Sequence, residues 1–100
     1  MQTKLPKTVP IGDLVFKVVA VRKARFISDG VWANGDMAWD ARVIRVAVGT
    51  KKNPLFEDRV WAVLHHEVAH ALEQAVEEAR CWLVAEAMGY LREWEKGNGA

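Results

Sequence analysis

Apolar and polar positions divide the chain into two halves with different periods. From Leu14 to Val21 the run LVFKVVAV is dense in β-branched and aromatic residues and is short, which predicts a strand. Pro6 and Pro10 keep the segment before it extended. Asn34-Gly35, inside VWANGDMAW, is a hairpin-turn signal, because a tight primed turn needs positive φ at both central positions. ARVIRVAV, residues 41 to 48, then alternates, with Ile44, Val46 and Val48 as its apolar side. It predicts a strand with one covered face. GTKKNP interrupts at Gly49 and Pro54.

From Leu55 the period lengthens. Phe56, Val60, Val63, Leu64, Val68, Ala71 and Leu72 recur at three- and four-residue steps, the mark of an amphipathic helix. A second helical pattern follows in Val76, Ala79, Trp82, Leu83, Met88 and Leu91. The expected architecture is α+β, with a small antiparallel sheet of about three strands packed on two helices. At 100 residues, 51% of them hydrophobic, the chain is one domain able to fill one modest core. Trp61 and Trp82 are expected in that core. Trp32 and Trp39 are expected to pair across the hairpin.

Charge narrows the choice of partners. Fourteen Lys and Arg against thirteen Asp and Glu leave a formal net charge of +1, which gives no electrostatic case for nucleic acid. Lys4, Lys7, Lys17, Arg22, Lys23 and Arg25 gather near the start and read as a solvated face. Neither a signal-peptide pattern nor an apolar run of roughly 20 residues is present, so no membrane segment is expected. With Cys81 as the single cysteine, no internal disulfide can form, and a cytoplasmic setting is the expectation.

All three histidines fall in six residues of VWAVLHHEVAHALEQAVEEAR, residues 60 to 80. His66-Glu67-Val68-Ala69-His70 is an H-E-x-x-H motif. On a helix, residues four apart are about 6 Å apart along the axis and share a face, so two imidazoles can converge on one zinc ion. Glu67 projects to the side of such an ion, where a general base is needed. His65 lies about 100° round from His66 and reads as a packing residue. Glu73, Glu77, Glu78 and Glu86 are candidates for a third ligand. In a straight helix Glu77 and Glu78 would lie about 10 and 12 Å beyond His70. A shared site therefore requires the chain to turn back between Leu72 and Ala75, although no Gly or Pro marks such a turn.

Residues 11 to 93 resemble the ImmA/IrrE-type zinc metallopeptidases, above all their short phage and prophage forms. IGDLVFKVVAV is similar to an early family strand, MAWDARVIRVAV to a hairpin leading into a second strand, and VLHHEVAHAL to the metal-binding helix. EARCWLVAEAM, residues 78 to 88, is similar to the last helix, which opens with acidic residues. The resemblance implies a zinc-dependent peptidase in which His66, His70 and Glu78 hold the metal, with Glu77 as fallback, and Glu67 is catalytic. It further implies a protein or peptide substrate, of the repressor-type regulator class of a mobile element. The extended substrate would add to the strand at 41 to 48. Tyr90 and His65 are the candidate oxyanion donors. Met88-Gly89 departs from the family's usual Met-Pro, and the spacer from His70 to the acidic pair is short. The alternative is a catalytically inactive zinc-binding module that acts through protein contacts.

Overall fold

A computed structural model describes residues 2–22, 26–28 and 31–99. Strand β1 (Thr8–Ile11) turns through Gly12-Asp13 into β2 (Leu14–Val21). Gly12 has φ 62°, as the first central position of a two-residue primed turn requires. The paired strands β3 (Phe26–Ser28) and β4 (Val31–Ala33) form a separate two-stranded sheet. Then β5 (Gly35–Ala38) and β6 (Val43–Ala47) form a hairpin closed by Trp39–Arg42. Arg42 sits at φ 56°, donates its backbone N–H to the Trp39 carbonyl at 3.2 Å, and lays its guanidinium over the Trp39 ring at 4.3 Å.

The main sheet has the order β1-β2-β6-β5 and is mixed, because β2 and β6 run parallel while the outer pairs are antiparallel. The α+β class holds, but the expected purely antiparallel three-stranded sheet is corrected to four mixed strands. Ile44, Val46 and Val48 are all buried, as their alternation requires. However, β6 lies between β2 and β5, so the strand at 41 to 48 is interior and cannot accept an added strand. Among the described residues the edges of this sheet are β1 and β5. Pro10 fits an edge strand, which needs no N–H on its open side.

Asn34-Gly35 is not a hairpin turn. The Asn34 carbonyl accepts from the Ala47 N–H at 2.7 Å, so it already belongs to the β5–β6 ladder. A Cβ on Gly35 would stand 2.6 Å from Val63 Cγ1 and 2.9 Å from the Arg45 carbonyl. The glycine allows the strand to approach the helix closely. Trp39 pairs with Phe16, at 5.6 Å between ring centroids, and the side chain of Trp32 lies outside the described residues.

One helix, α1 (Glu57–Trp94), replaces the expected two. No Gly or Pro occurs between Leu55 and Met88, so nothing local breaks the hydrogen-bond ladder. Val60, Leu64, Glu67 and Ala71 face the sheet. They close a core with Ile11, Phe16, Ile44, Val46 and Val48. Beyond Ala75 the helix runs past the sheet, and its apolar side chains are exposed: Val76 at 53%, Trp82 at 64% and Leu83 at 57%. Trp82 is therefore not a core residue, and Phe56 and Leu72 are also exposed. The radius of gyration, 19.6 Å, exceeds the roughly 13 Å of a compact chain of this length, because the overhang extends the molecule to 73 Å. The chain ends in a π-helical turn, Glu95–Gly99.

Candidate metal centre

The helix sets out the motif as its spacing demands. His66 and His70 point to solvent with their Nε2 atoms 2.9 Å apart, and the rings meet edge to face. Two nitrogens holding one tetrahedral zinc at about 2.0–2.1 Å would stand roughly 3.3 Å apart. The pair is therefore close to the separation that a shared ion needs. The Nδ1 of His70 faces Glu73 Oε2 at 3.9 Å.

Glu67 differs from its neighbours. It is the one buried charged side chain among the described residues, 8% exposed, and lies against the start of β5. Burial pushes its carboxyl above the ordinary glutamate value. The nearby His70 and His66 pull it back, and Asp36 adds a smaller upward push. Asp36 itself is held across the strands by Arg45, whose Nε donates to Oδ1 at 2.8 Å and whose Nη2 donates to Oδ2. A partly desolvated carboxyl beside two imidazoles is suited to taking up and releasing a proton.

The acidic pair does not join this group. Along the unbroken helix Glu77 and Glu78 lie seven and eight residues past His70, about 10 and 12 Å away, and both are exposed. The expected turn between Leu72 and Ala75 is absent, so the chain's own helix does not carry Glu78 to the histidines. Among the described residues no cluster of three His, Cys, Asp or Glu side chains could hold a metal ion. Glu77 shares the flank of His66, His70 and Glu73, whereas Glu78 lies about 100° further round. Instead, Glu77 sits 3.7 Å from Arg80 Nη1 and 3.7 Å from the Cys81 thiol. His65 packs toward Trp61 at 6.2 Å, and Tyr90 is 69% exposed on the overhang, far along the helix from Glu67.

The edge strand β5 is the element that sequence reasoning missed beside the site. Its signal was Gly35 itself, read as a turn. Lys4, Lys7, Lys17 and Arg22 are exposed, in keeping with a solvated face, while Lys23 and Arg25 lie outside the described residues. No described helix is long and apolar enough to cross a membrane. Comparisons with family models, curated proteins and solved structures found no match.

Proposed function

We propose that this chain is a zinc-dependent metallopeptidase of the ImmA/IrrE type. The observation that carries the reading is the converging His66 and His70 imidazoles beside a buried, proton-affine Glu67. His66 and His70 would hold the ion; the resemblance assigns the third ligand to Glu78, with Glu77 as fallback, which the unbroken helix carries about 12 and 10 Å beyond His70. Bound zinc supplies Lewis acidity toward a carbonyl and lowers the pKa of water toward 7. Glu67 takes the proton of the attacking water and delivers it to the leaving amine. Its burial matches it to both tasks, since a raised carboxyl holds the proton between the two steps. An extended peptide would add antiparallel to the open edge of β5, which runs beside Glu67. The substrate class that the resemblance implies, a repressor-type regulator, belongs to the same proposal.

Glu67→Gln tests the assignment. The variant is expected to keep zinc and fold and to lose at least about 10²-fold in hydrolysis of an unfolded protein substrate. Unchanged hydrolysis would remove Glu67 from the reaction.

A second reading, a zinc-binding module without peptidase activity, draws on the exposed apolar side chains past Ala75. It predicts stoichiometric zinc and no cleavage of any peptide by the wild type.

A further inference from the structure

The trough between the open edge of β5 and the flank of α1 extends past the histidine pair. At about 100° per residue, Val60, Leu64 and Ala71 face the middle of the sheet. Val63 and Glu67 lie about 60° round from them, at the margin of that face, where they meet Gly35. Arg59, His66, His70, Glu73 and Glu77 lie about 60° further in the same direction. They form one row, which overhangs the outer side of the edge strand. β5 ascends the helix, because Asn34 lies by Arg59 and the next residue, Gly35, lies by Val63 and Glu67.

Arg59 stands at the lower end of the row, about two turns before His66. It is exposed, and among the described residues it forms no ion pair. Arg45 and Arg80, by contrast, face the carboxylates of Asp36 and Glu77. The Arg59 guanidinium is nonetheless held in place. With its amide turned to present the oxygen, the Asn34 side chain accepts from Arg59 Nε at 3.2 Å and from Nη2 at 3.1 Å. Asn34 is itself anchored, since its carbonyl accepts from the Ala47 N–H at 2.7 Å. This grip uses one edge of the planar fork and leaves the other edge open to a second acceptor. The upper end of the row carries Glu73 and Glu77, so the trough is cationic below the histidines and acidic above them.

We propose that Arg59 is a specificity-determining residue that binds a carboxylate of the substrate, placed about three residues to the C-terminal side of the bond that is cut. This rests on the peptidase reading above. Direction follows from the strand. A peptide antiparallel to β5 runs down the helix, so its C-terminal portion passes Arg59 and its N-terminal portion passes Glu73. Distance follows from the helix. Arg59 and His66 are about 10 Å apart along the axis, which extended chain covers in about three residues. The carboxylate belongs to an Asp or Glu side chain, or to the free end of a peptide cut near its C-terminus. A guanidinium already ordered beside the strand loses little freedom in binding it, and charge-assisted bonds hold it.

The test uses full-length protein supplied with zinc and an unfolded protein as substrate, with the cuts mapped by mass spectrometry. Wild-type cuts should be enriched where Asp, Glu or a chain end lies about three residues downstream. Matched peptides built on one mapped cut then carry Glu or Gln at that position, or a free or amidated C-terminus there. The wild type should prefer the carboxylate member of at least one pair by about fivefold or more in kcat/KM, and the pair that responds separates side chain from chain end. Arg59→Ala should bring that ratio near one, Arg59→Glu should invert it, and Arg59→Lys should keep part of it. Asn34→Ala, which releases the guanidinium, should lower it. An Arg59 that only staples the helix to β5 would alter the melting temperature in these variants and leave the ratio where it was, and that result overturns the proposal. A wild type that cuts without regard to carboxylates overturns it too, and leaves the peptidase reading standing. A wild type that hydrolyses no peptide bond overturns both.

Discussion

Glu67 and Gly35 meet where β5 packs on the helix, one as a buried carboxyl and the other as a point of close approach. A carboxyl raised by burial binds more protons in the folded chain than in the unfolded one. Native stability therefore falls as pH rises from the ordinary glutamate value through the raised one, and stays lower above it. Glu67→Gln removes this dependence. In chelated protein, the melting temperature of the variant relative to wild type should climb between about pH 4 and neutrality. A difference that stays flat across that range would mean the carboxyl is not desolvated. Gly35→Ala forces a methyl group against Val63 and the Arg45 carbonyl. Denaturant titration should show it about 1–3 kcal/mol less stable, as over-packing is elsewhere. The same substitution crowds the Glu67 side chain, 3.3 Å from the added carbon. The motif residues are legible in the sequence because their geometry is local, with four residues of helix fixing the two imidazoles. A third ligand is a matter of what comes near from elsewhere, and spacing does not carry that information.

At the scale of elements, what could be read depended on whether one pattern had one cause. β2 and β6 follow from dense β-branched runs, and the alternation in β6 gives its buried side correctly. Ile44→Ala should accordingly cost about 2–5 kcal/mol in a denaturant titration, whereas Val15→Ala, on the open face of β2, should stay within about 0.5. Equal effects would place the core elsewhere. The β1–β2 hairpin was available in Gly12-Asp13 but is eclipsed by Pro10, which argues for an extended segment and not a paired one. Asn34-Gly35 misled because a glycine needed for close approach looks the same in sequence as one needed for positive φ. Along α1 the apolar pattern changes face near Leu72. That change reads as two helices, yet a change of face does not break a helix. Only backbone chemistry does, and Gln74 and Ala75 favour continuation.

The whole molecule is a small sheet-and-helix body with a rod extending from it, and the body alone accounts for the buried core. A net charge of +1 sets up little repulsion between copies, so the exposed face of the rod is free to associate. If it does, the melting temperature of the wild type should rise with protein concentration, and that of Leu83→Glu should not. A wild-type midpoint independent of concentration over a hundredfold range would count against association. The change of face along α1 has one more consequence, which concerns length. Each residue inserted after Ala75 swings everything downstream by about 100°, and two bring the outer face round to the side of the sheet. A rod lengthened by an alanine pair would keep its composition and helicity. Its greasy ridge, however, would run along the other side of the rod, the side on which the strands pack further back. Counting alone, with no change of chemistry, thus decides which way the overhang presents its apolar side.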